Sequence, residues 1–83
     1  MAIVLPIIHL NGTSREALVE ARRCAGQAVR VALNALTDMA PSKRDYYPVV
    51  GLWEHATAQQ CRRVETLRAL LEELREEVEA LDT

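Results

Sequence analysis

Apolar residues in the C-terminal part of the chain recur at alternating spacings of three and four. They are Val64, Leu67, Leu71, Leu74, Val78 and Leu81. This spacing places one narrow stripe along a helix, which is typical of a helix that packs against other helices. Charged residues fill most of the intervening positions. We therefore predict a helix over 51–81, in which Gln60 takes one stripe position and fixes the register.

A second long helix is predicted over 14–39. Its apolar stripe runs through Leu18, Ala21, Ala25, Ala28, Ala32, Ala35 and Met39. Alanine allows a neighbouring helix to approach closely. Other apolar residues widen the stripe until a single partner helix could not cover it, so we expect the protein to self-associate. At the start of this helix, Thr13 and Glu16 have the spacing of a capping box.

The segments outside the two helices contain prolines. Residues 1–12 are mostly apolar and interrupted by Pro6, which favours an extended arm over a central strand or a helix. Asn11-Gly12 is a turn signal. Pro41 and Pro48 bound a loop over 40–50, because the residue before a proline avoids the helical region. The spacing of these segments predicts a single domain spanning 1–83.

The predicted fold is all-α: an antiparallel helical hairpin with an extended N-terminal arm, assembled into a homo-oligomeric helical bundle. A chain of 83 residues can bury only a marginal core by itself, which also favours association. The expected oligomer interface combines residues of both stripes, namely Leu18, Ala25, Ala32, Val64, Leu67, Leu71, Leu74 and Val78.

Charge and composition limit the classes of function that we expect of this protein. The net charge is −2, and no helix carries a continuous basic stripe, so we expect no DNA binding. The charge is uneven, at +2 over 1–50 and −4 over 51–83. No apolar run is long enough to span a membrane, and no signal peptide is expected. Cys24 and Cys61 are expected to be reduced, small buried residues in a cytoplasmic protein.

The sequence lacks the motifs that would indicate catalysis. It has no Walker loop, GxGxxG, HExxH or nucleophile elbow. His9 has no second ligand at metal-binding spacing, and His55 and Glu54 are adjacent and so do not share a helical face. We predict a non-enzymatic protein without a cofactor or a metal.

Two segments are candidates for ligand binding. The first is the start of helix 1, where free N–H groups could hold an anion; its residues are Asn11, Gly12, Thr13, Ser14 and Arg15. The second is the loop, where Lys43 and Arg44 could bind phosphate and Tyr46 or Tyr47 could stack on a base. Simpler interpretations are a plain N-cap and a solvated loop whose tyrosines cover the bundle end. The two segments lie at opposite ends of helix 1, so a shared pocket requires an antiparallel dimer.

The same segments carry a resemblance. Ile7-Ile8-His9-Leu10-Asn11-Gly12-Thr13-Ser14 and Ala40-Pro41, followed by Arg44-Asp45-Tyr46-Tyr47-Pro48, resemble a group of small two-helix proteins encoded by tailed phages and prophages. The group has no established reaction to carry over. Leu36-Thr37, Pro41-Ser42 and Arg44 are also similar to the helix-turn of phage proteins that sequester cyclic-nucleotide immune signals, from which no ligand residue is transferred.

These likenesses imply a phage-encoded, homo-oligomeric binding protein in the host cytoplasm, which sequesters a cyclic or related signalling nucleotide and counteracts host defence. An alternative is an inhibitor or adaptor that binds a host or phage protein through its helical faces. A third is a structural phage component.

Overall fold

The computed structural model describes residues 3–82. It contains the helices α1 (Arg15–Asp38), α2 (Lys43–Tyr46) and α3 (Leu52–Asp82), and no strand within the described part of the chain. The all-helical prediction is confirmed, and both long helices lie within one residue of their predicted limits. The short helix α2 falls inside the predicted loop and was not predicted. Met1 and Ala2 of the predicted arm, and Thr83, lie outside the described residues.

α1 and α3 form an antiparallel hairpin. Contacts join Arg22 to Glu77 near the start of α1, and Leu36 to Gln60 near its end. The molecule measures 62 × 22 × 18 Å and has a radius of gyration of 18.1 Å. A compact chain of this length would have about 12 Å. We call the end with the start of α1 and the end of α3 the open end, and the opposite end the loop end.

The stripe of α3 faces α1. All its predicted members are half-buried or buried, and the same spacing continues backward through Gln60 and Thr57 to Trp53. The amide of Gln60 donates to the carbonyl of Leu36 on α1. Gln60 therefore bridges the two helices, as expected of a polar residue that fixes register. The Val64-to-Val78 part of the predicted oligomer interface thus lies on the side of α3 that packs within the hairpin.

The predicted stripe of α1 does not match the face that packs on α3. The residues that are buried or half-buried at spacings of three and four are Val19, Arg22, Gly26, Val29, Leu33 and Leu36. Ala21, Ala25 and Ala28 are exposed. The reason is size, because Val and Leu side chains bury more apolar area against α3 than alanine methyls do. The predicted stripe lies about a quarter-turn round α1 from this packed face, at 100° per residue.

Local signals determine the helix limits. The N-cap of α1 is Ser14, whose hydroxyl accepts a hydrogen bond from the N–H of Ala17 at 3.2 Å, so the predicted capping box centred on Thr13 is wrong. The predicted turn at Asn11-Gly12 is confirmed by a bond from the Gly12 N–H to the carbonyl of His9. Gly51 precedes α3 with a φ of 82°, a conformation that side chains other than glycine's strongly disfavour.

Few side chains are fully covered. Within residues 3–82 only Val19, Val29 and Leu81 are buried hydrophobic residues. Val50 is 100% exposed and Leu10 is 97% exposed. Both cysteines are exposed, so the prediction that they are buried is wrong. They lie on faces of the helices that no other part of the chain covers. No helix in the described part of the chain is long and apolar enough to cross a membrane.

Candidate functional site

The predicted ligand residues lie at the two ends of the hairpin. Asn11 to Arg15 lead into α1 at the open end, whereas Lys43, Arg44, Tyr46 and Tyr47 belong to or follow α2 at the loop end. α1 has 24 residues and is therefore about 36 Å long. One chain does not bring the two groups together.

The open-end group is exposed from Asn11 to Arg15. The ring of His9 packs over Gly12, where a Cβ atom would lie 2.7 Å from its Nε2 atom. A side chain at this position would therefore require the exposed imidazole of His9 to move. The hydroxyl of Ser14 is already used by the N-cap. This group lines neither of the two described grooves.

At the loop end, Trp53 organises the connection between α1 and α3. Its indole N–H donates to the carbonyl of Pro41 at 3.2 Å, and the ammonium group of Lys43 lies 4.8 Å from the ring centroid. Lys43 is therefore held by a cation–π contact. Arg44 is exposed, and Tyr47 is 78% exposed. Tyr47 is therefore the more accessible of the two tyrosines, whereas Lys43 and Arg44 are both exposed.

A shallow groove of about 350 Å³ lies beside Tyr46, and we call it the loop-end groove. Its lining is given by α2 and the first turns of α3: Tyr46, Leu52, His55, Ala56, Ala58, Gln59 and Arg62. His55, Gln59 and Arg62 are spaced four and three apart, so they lie along one side of the helix. An aromatic ring next to an arginine and a histidine is a suitable arrangement for an anionic ligand with a flat group.

A second groove of about 410 Å³ crosses the middle of the hairpin, and we call it the arginine groove. Four arginines line it together with Gly26 and residues of the α3 stripe: Arg22, Arg23, Gly26, Gln27, Arg30, Leu71, Leu74, Arg75 and Val78. No acidic residue is among them. Gly26 has no side chain, so the floor of the groove is the α1 backbone and the apolar stripe of α3.

The arginines of this groove differ in their partners. Arg22 pairs with Glu77 at 2.8 Å, and the side chains are only 20% and 17% exposed. Arg23 pairs with Asp82 at 3.0 Å, with both side chains more than half exposed. Arg75 contacts Glu72 and Glu79 on its own helix. Its hydrogen bond lowers the pKa of Glu72, and the same bond raises the pKa of Arg75.

These pairs also explain the acidic end of α3. The sequence predicts that the acidic residues at this helix C-terminus oppose the helix dipole and favour fraying, unless a basic surface of a partner meets them. In the structure Arg22 and Arg23 of the same chain meet Glu77 and Asp82, and α3 continues to Asp82. Opposite charges in the two halves of the chain therefore pair within the hairpin.

Sequence reasoning missed the arginine groove. Arg23, Gln27 and Arg30 fall outside the apolar stripe predicted for α1, on the polar face that the sequence predicts to be solvated, and Gly26 has no predicted role. The signal was present, because Arg23 and Arg30 each follow a residue of the packed face of α1, and Arg75 follows Leu74 of the α3 stripe. Residues in this position flank the interface of two packed helices. The signal could be used only once the packed face of α1 was known.

Metal ligands and thiols are the remaining candidate groups. No group of three or more His, Cys, Asp or Glu side chains in residues 3–82 could hold a metal ion. The thiol of Cys24 donates a hydrogen bond to Glu20, which raises the pKa of Cys24 and keeps the thiol protonated. What the surface presents is two open grooves and exposed apolar side chains. In comparisons with family models, curated proteins and solved structures, nothing matches this chain.

Proposed function

We propose that this protein is a homo-oligomeric, non-catalytic binding protein that sequesters a small nucleotide signal. The observation that carries the proposal is the accessible surface of the chain, which is 6395 Å². A compact monomer of 9.3 kDa would expose about 5,000 Å². The excess of about 1,400 Å² exceeds the roughly 800 Å² that one partner contributes to a stable interface.

A second copy of the chain is the partner that best fits this excess surface. The exposed part of the α1 stripe, including Ala25 and Ala28, continues the half-buried Leu18 and Ala32. Leu70 of α3 is 41% exposed and, by helical periodicity, borders the same side of the hairpin. Small side chains would let two such sides approach closely, so this side supports an α1-to-α1 contact between copies.

The loop-end groove is the proposed nucleotide site. In an antiparallel pair of hairpins, the Asn11-to-Arg15 segment of one copy would approach the loop end of the other. The groove would then supply the Tyr46 ring for a base and the Arg62 guanidinium for a phosphate. The likeness to phage proteins implies the biological role, which is removal of a cyclic-nucleotide immune signal from the infected cell.

Solution measurements test both parts of the proposal. Sedimentation and native mass spectrometry should give a dimer or higher oligomer at micromolar concentration, and a stable monomer would overturn it. Calorimetry against cyclic di- and trinucleotides should give binding that Arg62→Gln weakens about tenfold. Arg63→Gln is the matched control, since Arg63 is exposed like Arg62, has no ion pair among residues 3–82 and lines neither groove. Absence of binding at high micromolar ligand would contradict the nucleotide part alone.

A protein partner is the second candidate, and it is favoured by the arm. Val4, Ile7 and Leu10 are 87%, 82% and 97% exposed and recur every three residues. This period lines up side chains along one edge of a polyproline-type strand, which is a common way to bind a groove on another protein. If the partner is a protein, replacing the three residues by serine should abolish the ability of the chain to counteract host defence in infected cells. The nucleotide proposal predicts retained ligand affinity in the same variant.

A further inference from the structure

Gly26 occupies an unexpected position in the packed face of α1. Glycine in a helix interior loses more conformational freedom on folding than alanine does. A Cβ atom at Gly26 would lie 3.5 Å from Cδ1 of Leu71, which is an ordinary van der Waals contact. Packing therefore does not require glycine here. What the missing side chain provides is the open floor of the arginine groove.

The charged side chains that line this floor are all arginines, and their acidic partners lie outside the lining. Arg23 and Arg30 of α1 and Arg75 of α3 line the groove from both helices. Since Gly26 lies level with Leu71 and the helices are antiparallel, Arg23 and Arg75 lie at a similar height on opposite walls. Asp82 and Glu72 pair with Arg23 and Arg75, but all four side chains are more than half exposed, so these pairs are weak and the guanidinium groups can still attract an anion.

Part of this charge is available to a ligand. Arg30 has no ion pair among residues 3–82, and the Arg23–Asp82 pair is more than half exposed, so water and salt screen it. Guanidinium groups bind phosphate oxygens through two parallel N–H bonds. The floor beside them is apolar, with Leu71, Leu74 and Val78. Its volume of about 410 Å³ falls in the range of small-molecule sites.

We propose that the arginine groove over Gly26 binds a phosphorylated small molecule that carries an apolar or aromatic portion. The phosphates lie between the arginines of the two walls, and the apolar portion lies on the α3 stripe. The site is separate from the loop-end groove and does not rest on the proposed nucleotide-sequestering function. It also lies on the side of the hairpin that carries the Arg23–Asp82 pair, away from the exposed alanines of α1.

Calorimetric titration of the full chain with inorganic pyrophosphate and with adenosine 5′-diphosphate, in low-salt buffer, tests the proposal. We expect both probes to bind, the diphosphate nucleotide more tightly because it also covers the apolar floor. Arg30→Gln should weaken binding about tenfold, the loss of one charged hydrogen-bonding group. Arg63→Gln, which changes an exposed arginine that lines neither groove, should leave this affinity unchanged. Equal effects of the two substitutions, or no heat from either probe at millimolar concentration, would overturn it.

Gly26→Ala gives an independent readout. The added methyl should raise the melting temperature, since alanine is the better helix former. It should also weaken pyrophosphate and nucleotide binding at least severalfold by filling the floor of the groove. Loss of affinity in a more stable protein cannot come from misfolding. An unchanged affinity in the folded Gly26→Ala protein would place the ligand elsewhere and refute the site.

Discussion

The two ends of the hairpin differ in how far their apolar side chains are buried. At the open end, Val19 and Leu81 are buried, and the partly buried Arg22–Glu77 pair joins the helices. At the loop end, Val49, Val50 and Tyr47 are more than half exposed, although Trp53 bonds to Pro41. The two long helices thus cover their own apolar residues at the open end, although the arm that leads into α1 is exposed, and the loop end leaves its apolar residues in water.

This difference distinguishes the apolar surface that one hairpin buries by itself from the surface that a second copy would have to bury. Opposite charges and large side chains meet at the open end because both long helices reach it. At the loop end α1 stops at Asp38, and only the four-residue helix α2 covers the first turns of α3. We therefore expect substitutions at the open end to change folding stability, and substitutions at the loop end to change association.

The largest effect is expected from leucine truncation. Leu81→Ala should lower the free energy of unfolding by roughly 2–3 kcal/mol, since Leu81 is 5% exposed. Leu52→Ala is the loop-end counterpart, 40% exposed, and should cost less than about 1 kcal/mol while weakening self-association. Urea denaturation followed by circular dichroism at two protein concentrations measures both quantities. Equal costs would remove the distinction between the ends.

The loop end contains one backbone position that should be sensitive. Gly51→Ala places an alanine at a φ of 82° and should cost about 1 kcal/mol. Nothing lies within 4 Å of the added Cβ atom, so the cost is conformational and not steric. Gly26→Ala is the matched control and should stabilise the protein by about 0.5–1 kcal/mol. Thermal melts of the two variants should move in opposite directions.

At the open end, loss of the α1 N-cap should change the free energy of unfolding by a similar amount. Ser14→Ala removes the hydroxyl that accepts the Ala17 N–H and should lower the free energy of unfolding by about 1 kcal/mol. Thr13→Ala should change it by no more than a few tenths, because Thr13 is not the cap. If the order were reversed in chemical denaturation, the capping box predicted from the sequence would be correct after all.

The two interhelical ion pairs of the open end should differ in strength. A double-mutant cycle on Arg22 and Glu77 should give a coupling of about 1 kcal/mol, because their side chains are largely shielded from water. The same cycle on Arg23 and Asp82 should give about 0–0.5 kcal/mol and decline further with salt. Equal couplings would show that shielding from solvent does not decide the strength of these pairs.

The smallest expected effect is on the alkylation rate of Cys24. The hydrogen bond and negative charge of Glu20 raise the pKa of Cys24, so less thiolate is present at pH 8 than for an ordinary cysteine. Glu20→Gln should therefore increase the alkylation rate of Cys24 about two- to fivefold at that pH. The Cys61→Ser background isolates the signal. No rate change would mean that Glu20 does not act on the thiol in solution.

The stripe of α3 was predictable from the sequence because its members are large aliphatic residues at strict spacing. Helix limits followed for a similar reason, since proline and glycine act locally at Pro41 and Gly51. The prediction of the N-cap was wrong by one residue. Thr13 and Ser14 both have side chains suited to this position, and the path of the arm that enters the helix decides between them. The structure exposes apolar side chains, as the sequence predicts, whereas the prediction that a second copy covers them stays a prediction.

The sequence alone determined that the chain forms two long helices, which residues of α3 face a partner helix, and where the connection lies. Local propensity and periodicity contain that information. Tertiary structure decided which side of α1 faces α3, because two apolar sides compete there and only packing selects the one with larger side chains. That choice turned Gly26 from an ordinary helix residue into the floor of a groove lined by Arg23, Arg30 and Arg75.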